Sequence, residues 1–167
     1  MTTDISTTTS AGASTGASTG APTHRELTTG TVVLTIVGAV AILVSGWVHF
    51  YLYFRSGYRG IAPDEVLGLT ISRSFAVNAI AAVVLAEALV LGLRSRALLL
   101  PAAALGAGFG VATLVAYFLS RTRGLLGFEE TATTTEAVLA MVAEAVAIVT
   151  LVPVALTELR ARRRPAR

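Results

Sequence analysis

The chain has 167 residues, of which 54% are hydrophobic and 14% charged, so its composition is that of a membrane protein and excludes an ordinary soluble domain. It contains no cysteine, which excludes disulfides, thiolate metal sites and dithiol redox chemistry. The net charge of +3 comes from arginines that cluster beside hydrophobic segments. This placement favours a membrane-topology signal over nucleic-acid binding.

The amino-terminal region, residues 1–29, is a low-complexity tail of Thr, Ser, Ala and Gly. It has almost no side chains that could be buried, and it is predicted to be disordered. It has no basic start, and the apolar run that follows is too long for a signal peptide. That run is therefore expected to stay as a membrane anchor.

Four hydrophobic segments follow the tail, over residues 31–54, 74–93, 97–119 and 136–156. About 20 apolar residues suffice to cross a bilayer. The sequence thus predicts an all-α membrane protein, a four-transmembrane-helix antiparallel bundle over residues 30–157, with a basic cytoplasmic tail over residues 158–167. Thr133 and Glu136 have the spacing of a capping box, which places the start of the fourth helix there.

The arginines predict the orientation of the bundle, because cationic loops are retained in the cytoplasm during insertion. Placing both termini inside puts 8 of the 13 arginines in the cytoplasm and 5 outside. We therefore expect a multi-pass protein of the plasma membrane with cytoplasmic amino and carboxyl termini.

Small residues recur every four positions in the third segment, where they would let helices approach closely in lipid. The rows predict two adjacent smooth faces on this segment. They also predict that it is the most closely packed of the four helices. One row is Ala104, Gly108, Ala112 and Ala116, and the other is Ala102, Gly106 and Gly110.

Three ionisable residues, His49, Glu87 and Glu144, fall inside the predicted spans, where such groups are costly and face a bundle interior or water. Their depths allow a buried polar pair, or a short proton path from His49 through Glu144 to Glu87. The alternative is that each carboxyl only hydrogen-bonds a neighbouring helix and fixes its register. Asn78 lies about 180° around its helix from Glu87, so the two are not expected in one cluster.

The two loops at the predicted outer side each contain arginines, an acidic pair and glycines that indicate tight turns, at positions 57, 60, 124 and 127. Together with the helix ends they are expected to form a polar surface that we call the outer mouth. Its members are His49, Tyr58, Arg59, Asn78, Glu129 and Glu144.

No cofactor is implied by these residues. His49 and Met141 lie at similar depth and are conceivable haem ligands, but no supporting motif accompanies them. One histidine and two carboxylates are also too few for a typical zinc site.

Several motifs at the ends of the first three segments and in the loops resemble those of a group of small four-span integral membrane proteins common in actinobacteria, a family of unknown function. They are the runs at residues 49–52, 57–61, 75–78, 119–122 and 124–129, and the resemblance extends to Glu144. The chain contains arginine but no lysine, which also fits a high-GC genome. The resemblance implies architecture and no mechanism, and DoxX-like four-helix proteins are a looser analogy that rests on span number and size.

The leading functional hypothesis is a non-enzymatic bundle whose outer mouth binds a small ligand, a lipid or a partner protein. The alternative is a quinone- or haem-linked redox subunit in which His49 and Glu144 handle protons. A third is a proton-coupled transporter that acts as a dimer. The expected partners are the lipid bilayer and a membrane protein partner or a second copy, and no nucleic acid.

Overall fold

The computed structural model describes residues 27–55 and 69–163. These residues form four helices: α1 (Thr29–Arg55), α2 (Ile71–Arg94), α3 (Arg96–Arg123) and α4 (Thr135–Arg163). Each is long and apolar enough to cross a membrane. The predicted fold class, a four-helix membrane bundle, is therefore confirmed. The predicted tail as far as residue 26, the first loop with Tyr58 and Arg59, and residues 164–167 lie outside the described residues.

Threonine hydroxyls cap three of the four helices and satisfy amide groups that have no partner in the first turn. The Thr28 hydroxyl accepts from the Thr31 amide of α1, and the Thr70 hydroxyl accepts from the Arg73 amide of α2. At α4 the capping residue is Thr134, whose hydroxyl accepts from the Ala137 amide over 3.2 Å.

The prediction that Thr133 caps α4 is therefore wrong by one residue. The Thr133 hydroxyl instead accepts a hydrogen bond from the guanidinium of Arg121, at 2.9 Å. Since Arg121 lies in the last turn of α3, this contact joins α3 to the loop that precedes α4. The two adjacent threonines thus have different roles, one as the cap of α4 and the other as the acceptor for Arg121.

Consecutive helices lie side by side in the bundle, and α1 also packs against α4. Half of the most apolar window of α1 is buried, compared with 28% in α2, 33% in α3 and 39% in α4. The expectation that α3 is the most closely packed helix is therefore wrong. Only its row of Ala102, Gly106 and Gly110 is buried, whereas Ala104, Gly108 and Ala112 are exposed on the outer surface.

Glycines bring the helices together at the centre of the bundle. A Cβ atom at Gly38 of α1 would lie 2.5 Å from Leu151 of α4, and one at Gly106 of α3 would lie 2.7 Å from the same leucine and 2.9 Å from Ile42. Leu151 and Ile42 are almost fully buried. Their side chains therefore occupy space that is available only because positions 38 and 106 lack a side chain.

The bundle has two polar ends. The end of α1 that contains His49, with the start of α2, the end of α3 and the start of α4, is called the His49 end. The opposite end contains the short connection from α2 to α3 and the last turns of α4, and is called the Arg96 end.

At the Arg96 end, α4 continues to Arg163, six residues beyond the predicted boundary at residue 157. Glu158 lies in this extension and is only 3% exposed, because its carboxylate forms a bidentate contact with Arg96 at 2.7 and 3.3 Å. Arg162 adds two hydrogen bonds of 2.9 Å to the carbonyls of Arg96 and Ala97. The predicted basic tail is thus partly a structural clamp on the start of α3.

Candidate functional site

A polar cluster lies inside the bundle, toward the His49 end, and joins three helices. The hydroxyl of Ser45 on α1 donates a hydrogen bond of 2.9 Å to Oε1 of Glu144 on α4. Ser45 is fully buried and Glu144 is 3% exposed. The hydroxyl of Thr113 on α3 lies near the same carboxyl group, and it donates to the carbonyls of Phe109 and Gly110 of its own helix, at 3.0 Å each. The Glu144 side chain is therefore held at a contact of α1, α3 and α4.

Two glycines let the helices close around this carboxyl. A Cβ atom at Gly46, next to Ser45, would collide with Ala82 of α2. A Cβ atom at Gly110, one turn before Thr113, would lie 3.0 Å from the backbone carbonyl of Glu144. The polar residues thus stand where helix backbones approach most closely, so short side chains reach across the interface.

His49 lies one turn further along α1 than Ser45. Its Nδ1 atom is 2.8 Å from the backbone carbonyl of Ser45. Because a carbonyl oxygen can only accept, Nδ1 carries the proton of this hydrogen bond, and in a neutral ring Nε2 keeps its lone pair. The half-buried ring packs against Phe75 of α2, with 5.3 Å between the ring centroids. His49 therefore offers a positioned acceptor at the polar end of the bundle.

Ser45 connects the two ionisable groups through different atoms. Its carbonyl oxygen accepts from His49, and its hydroxyl donates to Glu144. These two hydrogen bonds do not form a continuous chain along which a proton could move. The arrangement instead holds the Glu144 carboxyl and the His49 imidazole in fixed positions, with Ser45 bonded to both.

Glu87 is not part of this cluster. The sequence placed it at the bundle interior, but its side chain is exposed on the outer surface of α2. Asn78 is half-buried on the inner side of the same helix, as expected from their separation of about 180°. The path predicted from Glu144 to Glu87 therefore has no counterpart within the described residues.

The remaining candidates from the sequence are spread over the His49 end. Glu129 is exposed in the connection between α3 and α4, and Met141 is half-buried on α4. Tyr58 and Arg59 lie outside the described residues, so their place in the outer mouth stays a prediction. Within residues 27–55 and 69–163, no group of three or more His, Asp or Glu side chains could hold a metal ion.

The connection after α3 contains a tight turn that the glycines predicted. Leu125 and Phe128 exchange two backbone hydrogen bonds, of 2.8 and 2.9 Å, and both residues between them have positive φ angles. The Ser120 hydroxyl donates to the carbonyl of Phe128, which fastens the turn to the end of α3. The expectation of a tight turn is confirmed at Gly127, whereas Gly124 ends α3 with a φ of 74°. Gly57 and Gly60 lie outside the described residues.

Two members of the polar cluster, Ser45 and Thr113, were not predicted from the sequence. The available signal was the sequence Ser45-Gly46 one turn before His49, and Gly110 one turn before Thr113. In membrane helices a hydroxyl beside a small residue often marks a helix contact. Apolar composition alone does not reveal such a contact, because serine and threonine are also tolerated when they bond to their own helix.

Comparison of the chain with family models, with curated proteins and with solved structures gives no match.

Proposed function

We propose that the protein is a binding protein of the plasma membrane whose outer mouth takes up a small amphiphilic ligand at His49. The observation that carries the proposal is the 2.8 Å hydrogen bond from His49 to the Ser45 carbonyl, which turns the Nε2 acceptor away from its own helix backbone. A ligand hydroxyl or amide N–H would donate to Nε2, and its apolar part would lie against Phe75. Membrane lipids and small hydroxylated amphiphiles both have this chemistry.

The buried Glu144 supports the same proposal, because it lies beneath His49 and is held by Ser45. A carboxyl in this position limits how far an apolar group of the ligand can enter the bundle. An apolar group that displaced the Ser45 hydroxyl would leave the carboxyl without its hydrogen bond. The ligand is therefore expected to bind at the His49 end and not to pass through the bundle. This is the reason for preferring a binding protein over a transporter.

The experiment is mass spectrometry of the molecules that co-purify with the protein in nanodiscs, in comparison with the bulk lipid of the same membranes. His49→Phe keeps a ring of similar size but removes the Nε2 acceptor. The backbone N–H of residue 49 can still donate to the Ser45 carbonyl within the helix. We expect the variant to lose the enriched molecule by about tenfold, the effect of one hydrogen bond of 1–2 kcal/mol. Trp47→Phe is the control, because Trp47 is 64% exposed on the outer surface of α1.

No enriched molecule in the wild type, or equal enrichment in His49→Phe, would overturn the proposal. The alternative of a quinone-linked redox subunit predicts that the enriched molecule is a quinol or the quinone formed from it, since the Nε2 lone pair could accept a hydrogen bond from a quinol hydroxyl. Solvent extraction followed by an ultraviolet spectrum separates this case from a lipid.

We also infer that both termini lie in the cytoplasm. Arg94, Arg96 and the arginines of the last turns of α4 lie together at the Arg96 end, and the positive-inside rule places such an end in the cytoplasm. Ser95→Cys and Ala132→Cys, each treated with a membrane-impermeant maleimide, test this orientation in whole cells. Ala132 suits the test because it is exposed in the connection between α3 and α4. Labelling of Ala132→Cys alone is expected, and labelling of Ser95→Cys alone would reverse the topology.

A further inference from the structure

One carboxyl group stands in the middle of the outward face of α2. Glu87 is exposed there, and its neighbours at one turn before and after are valines and a leucine. These residues are between 49% and 57% exposed: Val83, Val84, Val90 and Leu91. Glu87 is therefore surrounded by side chains suited to lipid.

The depth of Glu87 places it within the membrane. At about 1.5 Å per residue it lies about 10 Å from Arg94 and about 24 Å from Ile71, along a helix that spans a hydrocarbon core of about 30 Å. Exposing a carboxyl group to hydrocarbon is costly, and carboxyl groups at membrane depth normally contact another protein group. A second protein surface opposite this residue would remove that cost.

Residues 27–55 and 69–163 supply no polar partner for the Glu87 carboxyl. Among the described residues, no hydrogen bond or ion pair reaches the Glu87 carboxyl. The helix with the smallest buried share is also α2, at 28% of its most apolar window. Among the four helices, α2 thus has the largest share of its apolar window left for lipid or a partner.

We propose that a second copy of this chain docks on the outward face of α2, with the two Glu87 carboxyl groups hydrogen-bonded to each other. Two copies inserted in the same orientation are related by a two-fold axis along the membrane normal. Such an axis places each residue of α2 opposite its own counterpart at the same depth. Glu87 then meets the one group that is certain to be at its level, a second carboxyl.

The pairing satisfies both groups without further residues. A neutral carboxyl group has one O–H donor and one carbonyl acceptor, so two of them form reciprocal hydrogen bonds, and the surrounding apolar side chains of the two copies exclude lipid and water. Any other membrane protein would need a polar side chain at this same depth. The dimer interface is separate from the outer mouth, because Asn78 and Glu87 lie on opposite sides of α2.

Disulfide cross-linking tests the interface in native membranes, and the chain has no cysteine that would have to be removed first. Ile80→Cys and Leu91→Cys place a thiol on the face of Glu87. Val149→Cys is the matched control, because Val149 is the most exposed valine of α4, at 70%. Oxidation with copper phenanthroline is expected to give covalent dimers for the two α2 variants and none for the control.

The role of Glu87 is tested by subunit counting in lipid vesicles at decreasing protein density. Glu87→Leu is expected to weaken dimerisation by roughly 3- to 30-fold, the range for one side-chain hydrogen bond between membrane helices. Glu87→Gln, which can form an amide pair of similar shape, is expected to stay within about threefold of the wild type. Helix content by circular dichroism checks that both variants fold.

A monomeric wild type, or cross-linking at Val149 in place of α2, would overturn the proposal. So would cross-links from Ile80→Cys to a different protein with no homodimer, since the partner would then be another chain. Equal dimerisation of the wild type and Glu87→Leu would remove the carboxyl pair as its cause.

Discussion

Ser45 and Glu144 lie 99 residues apart in the sequence, and their side chains form a buried hydrogen bond of 2.9 Å between α1 and α4. Neither side chain is appreciably exposed. The contact fixes the register of α1 and α4 one helical turn before His49. A change at Ser45 should therefore affect stability and the position of His49 together.

Replacing Ser45 with alanine is expected to destabilise the bundle by about 1–2 kcal/mol, because it leaves a buried carboxyl oxygen without its donor. The measurement is an unfolding titration with sodium dodecyl sulfate, followed by the fluorescence of Trp47, the single tryptophan. Ser45→Thr keeps the hydroxyl and should retain more of the stability, although its methyl group must fit beside Gly46.

The matched control is Thr122→Ala. The Thr122 hydroxyl is likewise a hydrogen-bond donor, but its acceptor, at 2.8 Å, is the backbone carbonyl of Phe118 in the same helix, and the contact is exposed. A loss below about 0.5 kcal/mol is expected there. Equal losses at both positions would show that the bond between α1 and α4 contributes nothing specific.

Glu158→Ala is expected to loosen the Arg96 end. It removes the carboxylate that contacts the Arg96 guanidinium at 2.7 Å and fixes the start of α3 to the last turns of α4. Since the Arg96 side chain is 35% exposed, water compensates in part and a loss of about 1–2 kcal/mol is expected. The same unfolding titration measures it.

Arg160→Ala provides the comparison, because Arg160 is exposed and lies two residues from Glu158 on the same helix. It should change the stability little. The double variant Arg96→Ala with Glu158→Ala should lose less than the sum of the two single variants, because each single variant already removes the same ion pair. Strict additivity would contradict the clamp.

The number and approximate extent of the helices followed from the sequence, because runs of apolar residues longer than a bilayer requires leave few alternatives. The faces of the helices did not follow. Two rows of small residues on α3 look equivalent in the sequence, yet only Gly106 and its row face the core, while Gly108 has nothing within 4 Å of a Cβ position. Periodicity identifies faces, but in lipid both a buried and an exposed face are apolar.

The same limit applies to the candidate site. His49 and Glu144 were predicted, and the structure links both of them to Ser45. Glu87 was grouped with them because its depth is suitable, but depth does not give rotation about the helix axis. Its direction could be inferred only relative to Asn78, from the spacing of nine residues.

The contact between Gly46 and Ala82 should determine how closely α1 and α2 approach beside Ser45. Gly46→Ala places two methyl groups in collision, so a loss of about 1–3 kcal/mol is expected, with an altered Ser45–Glu144 contact. Adding Ala82→Gly removes the second methyl group and should restore part of the stability. Gly108→Ala is the control and should be neutral or stabilising, since its Cβ meets no atom within 4 Å and alanine favours helix.

The turn between Leu125 and Phe128 holds a leucine in a conformation that favours other residues. Leu126 has a φ of 52°, and Gly127 follows with a φ of 69°. Positive φ at both central residues defines a type I′ turn, which favours Asn followed by Gly. Leu126→Asn is therefore expected to stabilise the protein by about 1 kcal/mol, because asparagine tolerates this backbone conformation better than leucine.

Gly127→Ala is the opposing variant and should destabilise by a similar amount, roughly 1 kcal/mol, since a Cβ atom is disfavoured there. Unfolding titrations of the two variants should deviate from the wild type in opposite directions, and a shift of both in the same direction would refute this account of the turn.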